Sequence, residues 1–287
     1  MRFSYQVGMC DPGHYLPLAK AAEAAGFHGI TVPDSICYPK ESISKYPYNA
    51  DGSRDFLETE PFIESLIAVT AMAAATEHIR FATFVYKFAI RQAAVVAKQV
   101  QSINVLSGNR FDFGVGISPW QEDFAVTQTP FEQRGKRLDE QIEIFRGLET
   151  GDYFGYEGDI HTLPANRMNP VPSNPTPILV GGHAEPALRR AARNDGWMCA
   201  GASLDDLRGY MAKLKAYREE FGTADQPFRV FTTGQDAFTR EGIEELETIG
   251  ITDVIIAFRN VYAREPDHDL DTKIKQLQWY AGEFIGG

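Results

Sequence analysis

The sequence is poor in cysteine and has no long apolar run, and each absence excludes a class of protein. Its three cysteines, Cys10, Cys37 and Cys199, lie far apart and form no CxxC pair. This spacing argues against a disulfide framework or a zinc site, and we expect a reducing, cytoplasmic environment. No apolar run approaches the roughly 20 residues that a membrane helix needs. Met1 and Arg2 lead straight into the strand-like residues 3–7, so we expect neither a signal peptide nor a membrane partner.

Positive charge is also scarce, because 28 Lys and Arg residues face 39 Asp and Glu residues, for a net charge of −11. An acidic surface repels nucleic-acid phosphate, so we expect no nucleic-acid partner. Apolar residues make up 44% and charged residues 23% of the chain, which is typical of a globular protein. A chain of 287 residues is long enough to bury a substantial core.

Short β-like runs alternate regularly with helix-like runs along the chain. The β-like runs occur at 3–7, 29–32, 79–84, 110–115, 177–180, 196–199, 228–233 and 254–258. The helix-like runs follow them near 15–25, 60–76, 92–106, 131–148, 184–194, 205–221, 240–249 and 270–285. Eight such units predict an α/β fold, a TIM (β/α)8 barrel with inserted loops, as one domain over 1–287. The alternative is an open doubly wound sheet, but no strand carries the GxGxxG pattern of a dinucleotide fold.

Two stretches are longer than a simple barrel requires, namely 35–58 and 149–176. Long loops without regular structure in a compact domain are usually lids or binding loops. The first loop follows a strand, so it starts at the carboxyl ends of the barrel strands, where TIM barrels place their active sites. It carries the aromatic residues Tyr38, Tyr46, Tyr48 and Phe56. The second stretch starts at the end of a helix, on the opposite face of the barrel. It would have to extend along the barrel to reach a site at the carboxyl ends of the strands.

Several motifs in order resemble one family of enzymes. They are AGFHGITVPDS, TEHIRFATFVYKFAIRQAAVVAKQVQSINVLSGNRFDFGVG, YEGDIHTL and NPVPSNPTPILVGGHAEPALRRAARNDGWM. Over about residues 15–200 the chain resembles the bacterial-luciferase-like flavin oxidoreductases, most closely the branch that uses the deazaflavin coenzyme F420. The resemblance implies a barrel with an insertion, a flavin-type ring at the carboxyl ends of the strands, and a homodimer. Ser35 stands where many relatives carry a histidine.

A glycine pair marks a candidate phosphate site. Gly181, Gly182 and His183 follow the buried strand 177–180 and precede a helix. Backbone N–H groups and the helix dipole at such a turn attract anions. The alternative is a tight turn that only needs the flexibility of glycine. With the surrounding resemblance, we expect this turn to hold the phosphate of the cofactor tail.

The end of the third strand is a candidate support for the cofactor ring. The resemblance implies that Thr83, Phe84 and Val85 lie against one ring face, with a non-prolyl cis peptide at Thr83–Phe84 or, failing that, at Phe84–Val85. The residues themselves do not show a cis bond, and from the sequence alone we expect an ordinary trans strand end. Gly114 and Gly116 end the next strand, and we interpret these glycines, Gly116 above all, as letting backbone approach the flat ring.

Three residues are candidates for catalysis. Asp34 ends the second strand and could bond the polar edge of the ring, or it could be a turn aspartate. Glu122 could be a general acid or base if burial raises its pKa, or it could belong to a solvated loop. His14 could contact substrate or simply begin a helix. Trp120 is expected to pack against substrate or the 35–58 loop. Cys10 and His14 alone are too few ligands for zinc, so we expect no metal.

These observations lead to three hypotheses about function. The first is a coenzyme F420-dependent oxidoreductase that transfers a hydride between the deazaflavin and a small organic substrate. The second is an FMN-dependent monooxygenase of the same family. The third, from another class, is a carrier protein that binds flavin or deazaflavin without turnover.

Overall fold

Eight parallel strands close into a barrel in the computed structural model, which describes residues 1–46, 49 and 52–286. The strands in chain order are β1 (Arg2–Gln6), β2 (Gly29–Val32), β3 (Arg80–Thr83), β4 (Tyr86–Lys87), β5 (Phe111–Gly116), β6 (Phe154–Glu157), β7 (Thr162–Asn166), β8 (Ile178–Gly181), β9 (Gly196–Cys199), β10 (Arg229–Thr233) and β11 (Asp253–Ile256). The barrel runs through β1, β2, β3, β5, β8, β9, β10 and β11. It closes where Tyr5 of β1 lies opposite Ile256 of β11. The prediction of a TIM barrel is confirmed.

Helices surround the barrel close to their predicted places. They are α1 (Tyr15–Ala24), α2 (Ser65–Ala74), α3 (Ala93–Ser107), α4 (Gln121–Val126), α5 (Arg134–Glu149), α6 (Glu185–Ala192), α7 (Leu204–Glu220), α8 (Arg240–Ile249) and α9 (Leu270–Tyr280). Helix α2 starts later than expected, because Glu64 caps it by accepting a hydrogen bond from the Ile67 N–H group at 2.9 Å. Helix α4 was not predicted, since six residues show too little periodicity. None of the helices described is long and apolar enough to cross a bilayer.

The two inserted stretches have different structures. The described residues of the 35–58 loop lie at the carboxyl ends of the strands and include a 3-10 turn at Asp55–Leu57. Residues 47, 48, 50 and 51, which include Tyr48, lie outside the described residues. The stretch 149–176 is not irregular throughout, because β6 and β7 form an antiparallel hairpin in it. Glu140 of α5 holds the hairpin turn by accepting backbone N–H groups of Asp159, Ile160 and His161. Gly155 in β6 and Pro164 in β7 interrupt the pattern of residues that predicts a strand.

Charged residues occupy the amino-terminal end of the barrel. Asp253 accepts hydrogen bonds from Arg2 and Arg229, and Asp112 accepts them from Arg80 and Arg229. Both carboxylates are buried, with side-chain exposures of 0% for Asp253 and 2% for Asp112. Each buried charge therefore faces an opposite charge, as burial requires.

Candidate active site

A cavity of about 810 Å³ opens at the carboxyl ends of the barrel strands. Its volume is that of a small-molecule or cofactor site. Six of the predicted cofactor-binding residues line it together: Asp34, Phe84, Val85, Gly116, Gly181 and Gly182. The 35–58 loop contributes Ser35, Tyr46, Phe56 and Leu57 to the wall, as expected of a binding loop. No residue of 149–176, all of which the structure describes, lines the cavity.

The half-buried pair Phe84 and Val85 forms one wall of the cavity, and the peptide bond between them is cis. The expectation of an ordinary trans strand end is therefore wrong, and the cis bond lies at the second of the two positions that the resemblance implied, not at Thr83–Phe84. A Cβ atom on Gly116 would lie 2.7 Å from a Val85 methyl group, and one on Gly181 would lie 2.8 Å from the other. Val85 thus fills the space that two glycines on neighbouring strands leave open.

Gly114 is not among the residues that line the cavity, and a Cβ atom on it would lie 1.9 Å from the carbonyl oxygen of Thr83. Gly116 does line the cavity, and a Cβ atom on it would meet Val85. Both glycines make room for the neighbouring chain segment, and the approach of Gly116 to a ring stays a prediction. Thr83 does not reach the cavity, because its hydroxyl donates to the Gly114 carbonyl oxygen at 2.7 Å and its side chain is fully buried.

Asp34 lies at the cavity wall, but both of its carboxylate oxygens are bonded within the protein. Arg91 donates to both oxygens, at 2.7 and 2.9 Å. Ser65 donates to one oxygen at 3.2 Å, and the backbone N–H of Lys87 donates to the other at 2.8 Å. The guanidinium of Arg91 also stacks 3.9 Å over the Tyr86 ring. Asp34 therefore connects β2 to the segment after β3, and its predicted bond to the ring stays a prediction.

Glu122 does not line the cavity, and it holds the 35–58 loop. One oxygen accepts hydrogen bonds from the backbone N–H groups of Ile43 and Ser44, at 2.8 and 3.2 Å. The other oxygen lies 3.1 Å from the guanidinium of Arg54. Burial acts to raise the pKa of Glu122, but these hydrogen bonds to its charged form outweigh it and lower the pKa to about 2. The expectation of a raised pKa is wrong, because the sequence did not show that loop amides converge on this carboxylate.

Lys87 contributes a buried cation to the cavity wall. Its ammonium lies 2.7 Å from Asp123, and 4.1 Å from the ring centroid of Trp120. Arg54 of the 35–58 loop stacks on the same indole at 4.3 Å. Trp120 thus packs against the loop, as predicted, and also lines the cavity. The local sequence does not reveal that Lys87 is buried, because its burial depends on contacts with Asp123 and Trp120, more than thirty residues away.

Two predicted histidines lie outside the cavity lining. The Nδ1 atom of His14 lies 3.0 Å from the ammonium of Lys273, which itself pairs with Asp267. His183 stacks on Tyr210 and lies 3.2 Å from the Cys199 sulfur, and burial lowers its pKa. Their roles toward substrate and phosphate stay predictions. Within the described ranges, no three His, Cys, Asp or Glu side chains form a group that could hold a metal ion.

One end of the cavity is suited to an anion. Gly182 has a φ of 122°, and the helix α6 that follows it has no side-chain cap on its N-terminus. Helix α5 also begins here without a side-chain cap, and its first residue, Arg134, lines the cavity. Arg190 of α6 donates to the Gly135 carbonyl oxygen at 2.9 Å, which brings the two helices together. A cation at the N-terminus of a helix is unfavourable, because it lies at the positive end of the helix dipole. An anion bound beside Arg134 would offset this cost. The position of Arg134 at the start of a helix could have indicated an anion site from the sequence, but it was not recognised.

The fold is a TIM barrel, and the carboxyl ends of its strands surround a cavity of the size of a small-molecule site. The chain belongs to the luciferase-like monooxygenase family, whose model matches residues 5–284. An uncharacterised protein of Mycobacterium tuberculosis is 51% identical over 286 residues, which is 99% of each chain. The F420-dependent glucose-6-phosphate dehydrogenase of Gordonia bronchialis is 28% identical over 225 residues, 76% of this chain and 61% of that one. A monooxygenase from Streptomyces bottropensis has the same fold, with a TM-score of 0.78, 15% identity and 99% of both chains covered.

Proposed function

We propose that the protein is a coenzyme F420-dependent oxidoreductase that transfers a hydride between the deazaflavin and a small organic substrate. The likeness to F420-dependent glucose-6-phosphate dehydrogenase supports the choice of coenzyme. The bound coenzyme would supply hydride chemistry at its ring. The protein's own groups would hold the ring against Phe84 and Val85 and bind the anionic tail at the other end of the cavity.

The cationic side chains at the cavity wall are the main support for this proposal. Three of the four cationic side chains there pair with carboxylates: Lys87 with Asp123, Arg259 with Glu60, and Lys273 with Asp267. Arg134 is the fourth, and it has no carboxylate partner among the residues that the structure describes. Its guanidinium stacks on Phe131 at 3.9 Å, and its Nε atom is buried without a hydrogen-bond partner in that same part of the chain. An anionic group of a ligand would satisfy both the charge and the donor.

An FMN-dependent monooxygenase is the second candidate, because the matching family model is described as luciferase-like monooxygenase. FMN also combines a flat ring with a phosphate, so the same cavity and the same anion end suit it. The reaction, rather than the shape of the cavity, separates the two candidates. A carrier without turnover is distinguished from both by the absence of any redox reaction with the bound cofactor.

Four ligands test the proposal in one binding assay. Coenzyme F420 is titrated beside its tailless precursor, which has the same ring and ribityl chain but no phosphate, and FMN is titrated beside riboflavin. We expect F420 to bind most tightly, and to bind about 10-fold or more tightly than its precursor because of charged hydrogen bonds to the tail. Tight binding of FMN with no response to F420 would favour the monooxygenase. A protein that binds none of the four would contradict both candidates.

Arg134→Ala tests the anion site separately from the ring site. The variant is expected to lose most of the difference between F420 and its tailless precursor, while the precursor itself binds as before. Arg193→Ala is the matched control, since Arg193 directly follows α6 but is exposed and 3.6 Å from Asp139. An unchanged preference for the phosphorylated ligand in Arg134→Ala would remove Arg134 from the site.

We also propose that the chain forms a homodimer through the outer face of α2 and α3. Helix α2 has no charged residue, and it exposes Ile67, Thr70, Ala71 and Ala74. The neighbouring helix α3 exposes Val95 at 57% and Leu106 at 78%. Exposed apolar residues on adjacent helices, with small residues between them, suit close packing of a second copy.

A further inference from the structure

Trp197 of β9 is completely buried, and it bonds to the turn that is proposed to hold the cofactor tail. Its exposure is 0%, and its indole N–H donates to the carbonyl oxygen of Gly182 at 2.8 Å. Gly182 lines the cavity, but Trp197 has no exposed surface with which to contact a ligand. Any effect of Trp197 on binding must therefore pass through the peptide group between Gly182 and His183.

The strand β9 shows on which side of the barrel this hydrogen bond lies. Met198, the next residue along β9, lines the cavity, and successive side chains of a strand point to opposite faces. Trp197 therefore lies on the outer face of the barrel, where its ring packs on Tyr210 of α7 with the centroids 5.4 Å apart. The carbonyl group of Gly182 consequently points outward, toward the helices.

The geometry of the peptide group then determines the direction of the next amide. The bond between Gly182 and His183 is trans, and the C=O and N–H groups of a planar trans peptide point in opposite directions. Since the Gly182 carbonyl points outward, the backbone N–H of His183 points inward, toward the cavity.

The side chain of His183 is also held on the outer face. Its ring stacks on Tyr210, with the centroids 5.4 Å apart and the planes at 11°, and its Nε2 atom lies 3.2 Å from the Cys199 sulfur. Cys199 is two residues after Trp197 on β9, so it lies on the same face of the strand. Both residues that share the peptide group are thus fixed from outside the barrel.

Glycine at position 182 makes this fixation important. Gly182 has a φ of 122°, and a glycine restricts the rotation of its peptide group less than any other residue. A rotation by half a turn would direct the carbonyl oxygen, with its partial negative charge, into the cavity, where it would repel an anion. The same rotation would leave the buried indole N–H of Trp197 without its acceptor, which is costly. Trp197 therefore stabilises the orientation that attracts an anion.

We propose that Trp197 is a positioning residue for the cofactor tail. Its indole N–H holds the Gly182 carbonyl outward, so that the backbone N–H of His183 faces the cavity and donates to an anionic phosphate oxygen of the tail. This inference rests on the proposed function, and it assigns the role of His183 at the phosphate to its backbone rather than to its imidazole.

Trp197→Phe tests the proposal, because it removes the N–H group and keeps an aromatic ring. F420 and its tailless precursor are each titrated into the wild type and the variant, and the ratio of the two affinities is compared. The wild type should prefer F420, and the variant should lose about 5- to 10-fold of that preference, the effect of one hydrogen bond. The affinity for the tailless precursor should not change. A purely structural role of Trp197 would instead weaken the binding of both ligands alike.

A variant of unchanged shape covers the case in which Trp197→Phe does not fold. Benzothienylalanine, incorporated at position 197 alone, has a sulfur atom in place of the indole N–H and otherwise the shape of tryptophan. It should lose the same part of the preference for F420. Trp279→Phe is the matched control, since Trp279 lies on α9 with 52% exposure, and it should alter neither affinity.

Nuclear magnetic resonance observes the proposed donor directly. The chain has six histidines, so selective 15N labelling of histidine gives few backbone amide signals. In the wild type, the amide proton of His183 should move to lower field when F420 binds, as expected of a new hydrogen bond to an anion. The shift should be smaller with the tailless precursor and in the Trp197 variants.

The outcomes separate this inference from the function on which it rests. A preference for F420 that survives in both Trp197 variants would overturn the inference and leave the proposed function standing. A His183 amide that does not respond to F420, or a wild type that binds F420 and its precursor equally, would overturn it as well. A wild type that binds neither ligand would overturn the proposed function itself.

Discussion

Asp34 and Glu122 are both carboxylates near the cavity, and their donors determine their roles. Asp34 meets a guanidinium, a hydroxyl and a backbone amide, while Glu122 meets loop amides and Arg54. The sequence identified both residues as candidates because strand ends and the loops that follow them form the mouth of a barrel. It could not show which donors reach them, because Arg91, Ile43 and Arg54 are distant in the chain. The carboxylates were therefore found, but their bonding was not.

Glu122→Gln is expected to loosen the 35–58 loop. The neutral amide loses the ion pair to Arg54 and weakens the bonds to the Ile43 and Ser44 amides, so hydrogen exchange at these amides should speed up by about 10-fold or more. The low pKa of Glu122, about 2, means that its anchoring is complete above its ordinary value of 4.5 and is lost as the pH falls toward 2. Hydrogen exchange followed by mass spectrometry measures the change. Glu132→Gln, at an exposed carboxylate nearby, should leave it unaltered.

Gly182→Asp is expected to abolish cofactor binding while the barrel still folds. The new carboxylate would place negative charge where the phosphate is proposed to bind. Gly182→Ala is the matched control, because it carries the same strain at a φ of 122° and the same 3.0 Å approach to Ala187, without the charge. Fluorescence titration should show a modest loss for alanine and no binding for aspartate. Equal affinities of the two variants would contradict the phosphate assignment.

At the scale of whole elements, regular helices and strands followed from the sequence, and the inserted segments did not. The barrel strands lie within one or two residues of their predicted bounds, because buried parallel strands are short apolar runs between turn residues. Helix α4 and the β6–β7 hairpin were missed, since both depend on contacts with the rest of the chain. Glu140 of α5 accepts hydrogen bonds from the hairpin turn, and no local sequence pattern predicts this contact.

Helices α2 and α3 form the proposed dimer face. Ile67 of α2 is 65% exposed on the proposed dimer face. Ile67→Asp would bury a charge at that interface, and we expect it to convert the dimer into monomers. Light scattering coupled to size-exclusion chromatography measures the mass. Val126→Asp, at an apolar residue of α4 exposed to 55%, is the control that should leave the dimer intact. A wild type that is monomeric at every concentration would contradict the proposal.

Across the whole molecule, the two ends of the barrel differ in structure. The carboxyl ends of the strands hold the cavity, and the amino ends hold the network of Asp112, Asp253 and Arg229 with its neighbouring arginines. In the sequence, the residues of this network are single charged residues at the starts of separate strands. They contact one another only because the closed barrel brings these strand starts together.

Stability should depend on this network in acid. Burial acts to raise the pKa of Asp253, but hydrogen bonds from Arg229 and Arg2 outweigh it and hold the pKa below its ordinary value of 3.8. A lowered carboxyl pKa stabilises the fold fully above 3.8 and less as the pH falls toward the folded value. Asp253→Asn should lower the free energy of unfolding at neutral pH by about 3 kcal/mol, since it removes a buried carboxylate that both Arg229 and Arg2 contact. Urea unfolding at pH 7 and pH 3 measures this, and the difference between variant and wild type should shrink at pH 3.

Val85 lies between Gly116 of β5 and Gly181 of β8, with its two methyl groups in the space that both glycines leave open. The identity of one of these three positions therefore restricts the other two. A laboratory library that randomises residue 85 alone would sample mostly variants that cannot seat their new side chain, and one that alters either glycine alone would displace the valine. Remodelling this wall for other ligands thus requires positions 85, 116 and 181 to be varied jointly.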